Sequence, residues 1–393
     1  MEEWKKVKLG DICNTISETY KNDSDMVVLI NTSDVLEGKC LNHECVPNKN
    51  LKGQFKKTFK PQDILYSEIR PANKRFAFVD FKSNNYIAST KLMVVRAKEN
   101  VIPLYLFYLL KSKYIVEQLQ ALAETRSGTF PQITFSELSN LQIMLPSIKI
   151  QERIVSVLSS IESKLEVNQR INDNLEQQAQ ALYNELFANE SVSELINLGN
   201  VIETTSGGTP SRSNPHFYKE GTLNWVKSKE LNGTFIINTE EFITDMAVRK
   251  SAAKMLPENS VLIAMYGATV GEYAIIFKQM ACNQAICALL PSNNYPYTYL
   301  FMFAKRKKEE LINKAIGSAQ QNISQILVKQ LSISKNIELI KRYNLNVYPF
   351  FETIKKNAVE NENLSQLRDL LLPKLMSGEL KINDLNSNTY ERR

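Results

Sequence analysis

Histidine is almost missing from these 393 residues, with His43 and His216 the only two, and the five cysteines form no CxxC pair. So few histidines leave little from which to build a Ser/His/Asp or Cys/His triad. A structural zinc site needs four clustered ligands. Cys40, His43 and Cys45 fall short of that, as do Cys282 and Cys287 with the same spacing. Reduced structural thiols are the expectation. Long apolar runs are also lacking. Nothing approaches the roughly 18 apolar residues of a membrane span, and the opening MEEWKKVKLGDI has no apolar signal region. A soluble, cytoplasmic protein is expected. The net charge of +6 leans towards a polyanionic partner, but 42 acidic residues make that a weak signal. The length allows two or three domains, each with its own core.

What the chain does have is a repeat. Leu9-Gly10-Asp11-Ile12 returns 189 residues later as Leu198-Gly199-Asn200-Val201. Arg153, Leu165, Asn174-Leu175 and Leu182 return as Arg342, Ile354, Asn363-Leu364 and Leu371. Residues 1–146 mix short strand-like runs with one helix expected from Pro103 to near Ser127-Gly128. Residues 191–335 repeat that order, with a helix from Pro296 to about Ile316. The offset slips to 197 between Ile64-Leu65 and Val261-Leu262, then returns to 190 between Ile133 and Ile323. Two heads therefore share a scaffold and differ in loop length. Segments 147–190 and 336–380 read as long helices, and 381–393 as a polar C-terminal tail.

The helices carry a seam of alternating four- and three-residue steps. In the first it reads Ile154, Leu158, Ile161, Leu165, Asn168, Asn172, Leu175, Ala179, Leu182 and Leu186. In the second it reads Tyr343, Val347, Phe350, Ile354, Asn357, Asn361, Leu364, Arg368, Leu371 and Leu375. The first series is symmetric about residue 170, so an antiparallel pairing matches positions whose numbers sum to 529. Asn168 then meets Asn361, and Asn172 meets Asn357. Buried amides need partners, and such layers fix register and orientation. Arg368 opposite Ile161 is the exception, its stem expected along the seam with its head in water. A parallel homodimer that uses each helix separately is the alternative.

Catalytic strings are few. Asn214-Pro215-His216-Phe217 resembles the NPP[FY] loop of amino-methyltransferases, but histidine replaces the second proline and no glycine-rich cofactor loop follows a strand. Pro61-Gln62-Asp63 with Glu68-Ile69-Arg70 suggests a nuclease carboxylate pair, yet the second head has Asn259-Ser260 there; a turn before a strand explains both copies. Gly207-Gly208-Thr209-Pro210-Ser211 lacks the Lys-[Ser/Thr] of a P-loop.

Binding signals are stronger. Residues 49–82 hold nine Lys/Arg against three acids, interleaved with Phe55, Phe59, Tyr66 and Phe76. Lysine and arginine neutralise phosphates, while Arg, Asn and Gln read base edges. The DNA-binding candidates in the first head are Lys56, Lys57, Arg70, Asn73, Lys74, Arg75, Arg126 and Ser127. In the second they are Thr209, Ser211, Arg212, Lys227, Lys229, Tyr266, Thr269, Gln320 and Gln321, with Arg249 and Lys250 also in loops. Lys305-Arg306-Lys307-Lys308 reads equally as a solvated helix face or as phosphate contacts.

Six strings in order resemble one family, the specificity subunit of type I restriction-modification systems. They are LGDI at 9–12, LGNV at 198–201, and Ser206 to Arg212 (SGGTPSR) followed by Leu223-Asn224-Trp225-Val226. Leu145-Pro146 with Gln151-Glu152-Arg153-Ile154 lies between the first two, and Leu367-Arg368-Asp369 and Leu371 to Glu379 (LLPKLMSGE) close the series. The resemblance implies duplicated α/β (α+β) target-recognition domains joined by two long antiparallel coiled-coil helices. Each domain would read half of a bipartite DNA target, and the helices would set the spacer. Two modification subunits, methylating adenine with S-adenosylmethionine, would dock on those helices. Restriction subunits using ATP and Mg2+ would complete the assembly, and this chain would bind no cofactor or metal itself. The first head lacks the GGTP element, having Ser17-Glu18-Thr19-Tyr20. The second helix opens with Ile337-Glu338-Leu339-Ile340 instead of the LP…EQ form. A non-catalytic DNA reader is thus expected; the competing readings are a stand-alone methyltransferase or nuclease and a coiled-coil scaffold that does not touch DNA.

Overall fold

Leu9 and Leu198, which open the repeated LGDI and LGNV strings, are both fully buried. Each donates its N–H across the head, Leu9 to the Leu141 carbonyl at 2.9 Å and Leu198 to that of Leu331 at 2.8 Å. The glycine that follows lets the chain pass close. A Cβ at Gly10 would lie 3.0 Å from Ser139 Cβ, and one at Gly199 2.8 Å from Lys329 Cβ. The short string is repeated because it pins the start of each head to its end. Beside it, Lys5–Lys8 pairs antiparallel with Gln142–Leu145, and Leu195–Asn197 pairs with Ser332–Ser334.

The computed structural model describes residues 4–21, 24–125, 131–315 and 322–380. The chain forms two compact units, Met1–Ser163 with Ser365–Arg393, and Lys164–Leu364. The first holds two four-stranded sheets. One runs Cys13–Ile16, Leu92–Ala97, Ile64–Ser67, Phe76–Phe78, antiparallel throughout. The other runs Cys45–Pro47, Met26–Ile30, Tyr86–Ser89, Phe55–Lys57, with its central pair parallel. Leu65, Ala77, Leu92 and Val94 pack with Val28, Ile30 and Ala88 of the other sheet. The opposite face carries Tyr66 stacked on Phe76, which meets Phe107 of the helix Pro103–Leu110. Strands buried on both faces read as near-continuous apolar runs, and Ile64-Leu65-Tyr66 does.

The second unit repeats the plan with one more strand. Thr204–Ser206, Ile286–Leu289, Val261–Ala264, Tyr273–Ile276 and Phe235–Ile236 form one sheet. Phe242–Ile243, Leu223–Val226, Met280–Cys282 and Met255–Leu256 form the other. The two-residue strand period divides the core cleanly. Leu262, Ala264, Ala274, Ile276, Ile286 and Ala288 face the partner sheet, whereas Val261, Ile263, Tyr273, Ile275, Cys287 and Leu289 face the helices.

One expected helix is two. Pro103–Leu110 ends and Lys113–Glu124 begins anew, because the Ser112 side chain accepts the Ile115 N–H and caps the second segment. The second unit keeps a single helix, Tyr297–Lys314. Both expected ends near Ser127-Gly128 and Ile316 to Ser318 lie outside the described residues.

The long helices span Ile148–Phe187 and Ile337–Ser377. Within the second unit they run antiparallel. Asn168 Nδ2 donates to Asn361 Oδ1 at 2.8 Å, and Asn357 Nδ2 to Asn172 Oδ1 at 2.8 Å. Both layers obey the sum of 529. Asn168 Nδ2 also reaches Glu360 at 2.7 Å, and Lys164 pairs with the same carboxylate at 3.1 Å. These two donors hold the Glu360 carboxyl below the usual glutamate range. Leu175, Ala179 and Leu182 share one cluster with Val347, Phe350 and Ile354. Past Ala179 the seam shifts by one residue. Tyr183 and Phe187 are buried, while Leu182 and Leu186 are half-buried. Tyr299 of the head's helix lies 5.5 Å from Tyr183 and 5.1 Å from Phe187, and Tyr343 of the second long helix lies 5.6 and 5.9 Å from the same rings. The head's helix and the second long helix thus both face these positions.

In the first unit Ile154, Leu158, Leu371 and Leu375 are buried. Arg368, the expected exception in the seam, is half-buried. It pairs with Asp369 at 2.8 Å, and its charge acts on Tyr108 and Lys111. Those two side chains in turn bond Glu162, at 2.7 and 2.5 Å. Gln151 is buried, bridging the Ile102 N–H and the Pro146 carbonyl at 3.0 Å each. Ile340, fully buried, occupies the repeat-equivalent place, so the second copy needs no glutamine. The closing SGE string ends the helix. Gly378 takes φ +75°, and a Cβ there would stand 2.9 Å from the Trp4 ring. Among the described residues, no helix is long and apolar enough to cross a membrane.

Candidate nucleic-acid interface

The SGGTPSR string is a packed knot. A Cβ at Gly207 would lie 1.8 Å from the Cys282 carbonyl oxygen, and one at Gly208 2.5 Å from the Ala252 backbone. Trp225, buried, donates its indole N–H to the Gly208 carbonyl at 3.1 Å. Tyr218 OH reaches the Pro210 carbonyl at 2.5 Å, and Thr209 donates its hydroxyl to Gln284. Ser211 is exposed and shares a hydrogen bond with Ser213 at 2.7 Å.

Arg212 lies 4.2 Å over the Tyr218 ring and pairs with Glu241 at 2.6 Å. Lys227 bonds Glu240 at 3.0 Å and Glu241 at 2.8 Å, and Lys229 meets Glu240 at 2.6 Å. The three candidate cations thus converge on two acids, and hydrogen bonds from the lysines depress both carboxyls. No spacing in the sequence signals this, because Glu240-Glu241 come from the far side of a strand pair. Arg249 and Lys250 are exposed at the end of the helix Asp245–Lys250.

In the Lys305–Lys308 run Arg306 is exposed and the three lysines are half-buried. Lys305 pairs with Glu176 and Lys307 with Glu310, both at 2.6 Å, and Lys308 pairs with Glu272 at 2.8 Å. Arg306 reaches the Phe187 carbonyl at 3.3 Å. Lys305 and Arg306 thus fasten the head to the first long helix within this unit, while Lys307 and Lys308 are paired inside the head.

In the first head Lys57 is half-buried, donating to the Thr90 and Leu92 carbonyls at 2.9 and 2.8 Å. Desolvation lowers its pKa. Arg75 ties down the 33–35 loop through the Ser33 carbonyl at 2.9 Å. Lys56, Arg70, Asn73 and Lys74 are exposed, the last three on one turn, and Lys74 pairs with Glu37 at 2.9 Å in the open. Tyr266 is 39% exposed, and the Thr269 hydroxyl donates to its carbonyl at 3.1 Å. Arg126, Ser127, Gln320 and Gln321 lie outside the described residues. The sequence reading missed Lys91, exposed, whose Nζ reaches Gln132 at 3.4 Å beside that same turn.

The discarded catalytic strings have structural uses. Asn214 accepts the His216 N–H at 3.2 Å within a tight turn, and Phe217 is buried. Asp63, fully buried, takes a two-pronged bond from Arg96 at 2.7 and 2.8 Å and caps the Lys60 N–H at 2.8 Å. Among the described residues, no three His, Cys, Asp or Glu side chains gather as metal ligands would.

Over residues 1–177 and 191–334 the chain matches the family described as type I restriction modification DNA specificity domain. The type I restriction enzyme HindI specificity subunit of Haemophilus influenzae is 31% identical, the match covering 97% of this chain and 100% of the relative. The MjaIX specificity subunit of Methanocaldococcus jannaschii is 26% identical over 86% of this chain and 82% of its own. The crystal structure of a type I restriction-modification system S subunit from M. genitalium matches with a TM-score of 0.58. It covers 95% of this chain and 96% of that one at 17% identity, a likeness of fold.

Proposed function

We infer the function from one premise: the chain belongs to the type I restriction modification DNA specificity domain family. It is a DNA-reading subunit without catalysis of its own, and each head reads one half of a bipartite target. The observation that carries this reading is the pair of heads built on one plan, whose long helices lock by two asparagine layers. A methyltransferase or nuclease reading would need Asn214 or Asp63 free for chemistry, and both side chains are engaged in holding turns.

The partners follow from the same premise. Modification subunits would bind S-adenosylmethionine, and restriction subunits ATP and Mg2+. Val167 and Ile171 on the first long helix are exposed apolar side chains that a docked subunit would cover. The two helices, 40 and 41 residues long, would set the distance between half-sites.

Inserting one heptad after residue 170 and another after residue 359 keeps each asparagine layer intact. Each helix then grows by about 10 Å, or about three base pairs of DNA. Methylated adenines mapped in cells carrying the partner subunits should show both half-sites unchanged and a spacer longer by about that amount. An unchanged spacer would refute the role of the helices. Absence of any methylation pattern dependent on this chain would refute the DNA reading itself.

A further inference from the structure

Both heads contain the same turn with opposite chemistry. Residues 67–75 lead from Ile64–Ser67 to Phe76–Phe78, and residues 264–272 lead from Val261–Ala264 to Tyr273–Ile276. An offset of 197 aligns them, and the backbones agree. Ile69 bridges Gln132 as Tyr266 bridges Asn322. Ile133 donates to the Glu68 carbonyl at 2.8 Å, and Ile323 to that of Met265 at 2.9 Å. Asn73 donates to the Arg70 carbonyl and Val270 to that of Gly267, at 2.8 and 3.2 Å.

Two positions in this turn require left-handed backbone. The second head places glycine at both, Gly267 at φ +70° and Gly271 at φ +81°. The first head places Arg70 at φ +45° and Lys74 at φ +52°. Glycine adopts this conformation freely, whereas residues with a Cβ are strained in it. The first head therefore keeps strain at two points where its own duplicate shows that glycine suffices, and both residues are exposed cations. Strain of this kind is retained where the side chain is needed.

The turn is also held firmly. Arg70 N–H donates to the Pro131 carbonyl and Ala72 N–H to Gln120 Oε1, each at 3.0 Å. The Lys74–Glu37 pair is open to water on both sides and so contributes little to the fold. In the second head, residues 264–272 contain no Lys or Arg. Their one acid, Glu272, is paired with Lys308 at 2.8 Å.

We propose that Arg70 and Lys74 form a phosphate clamp, by which the first head grips the DNA backbone while the second head's glycine turn does not. The proposal rests on the DNA reading above. It makes the two heads electrostatically unequal, with salt sensitivity concentrated in the first.

The test uses the full-length chain and a labelled mixed-sequence duplex roughly three helical turns long. Arg70→Gly with Lys74→Gly should melt at or above the wild-type temperature. Its affinity at physiological salt should fall roughly tenfold, and the slope of log K against log salt should flatten by about two. Arg70→Asn with Lys74→Asn, neutral and tolerant of left-handed backbone, should behave alike in binding. Unchanged affinity and slope in stably folded variants would overturn the clamp and leave the DNA reading standing. Lowered melting in both variants would also overturn it, by showing that the cations serve the fold. A wild-type chain that ignores the duplex would overturn the DNA reading, and the clamp with it.

Discussion

Asp63→Ala is expected to cost the first unit about 3 kcal/mol, the lower end of what breaking a buried ion pair removes. Asp63 is shielded from water and holds Arg96 through two short bonds, so truncation leaves the guanidinium without its partner. A side chain 26% exposed can still reach solvent, which places the loss at the lower end. Arg96→Met should cost more, about 4–5 kcal/mol, because the stranded group is then the buried carboxylate. The two tryptophans make the effect local to read. Trp4 belongs to the first unit and Trp225 to the second. In denaturant titrations of Trp225→Phe and Trp4→Phe backgrounds, the Trp4 transition should move to lower denaturant and the Trp225 transition should stay. An unmoved Trp4 transition would contradict the structural role given to this pair.

Asn168→Leu is the second large effect, about 2 kcal/mol. The substitution removes the donor that Asn361 accepts from, and leaves that half-buried amide oxygen facing a leucine. Glu360 loses the same donor but keeps Lys164 and water. Replacing both Asn168 and Asn361 with leucine should restore most of the stability, since no polar group is then left unmatched. The double variant should instead lose register fidelity, which buried asparagine imposes. Chemical melts of the two single variants and the double variant read the coupling. A simple sum of the two single effects would contradict the direct pairing.

Some of this was legible because it is arithmetic along the chain. The asparagine layers needed only a 189-residue offset and a heptad step, and the structure pairs those side chains as the sum of 529 requires. Strands such as Val261–Ala264 announced themselves as apolar runs because both faces are buried. The break at Ser112 was not legible. Apolar runs flank Lys111-Ser112-Lys113 on both sides, a pattern one continuous helix would also show, and one hydroxyl decides that the helix restarts. The seam shift at Tyr183 involves Tyr299 and Tyr343, which lie more than a hundred residues away in sequence.

The site was legible in kind more than in detail. Basic residues in loops were visible, but their partners were not. Glu240 and Glu241 gather Arg212, Lys227 and Lys229, and carbonyls within the first head claim Lys57 and Arg75. The meaning of Arg70 and Lys74 emerged only from backbone angles compared between the two copies. Side-chain type gives the charge, while the surrounding fold decides whether that charge is available to a partner.

The central claim is that each head reads its own half of the target. It is tested most directly by replacing residues 1–146 with the equivalent head of another family member and mapping methylated adenines in cells that supply the partner subunits. One half-site should change to that of the donor, with the other half and the spacer retained. A target altered in both halves, or in neither, would contradict the claim.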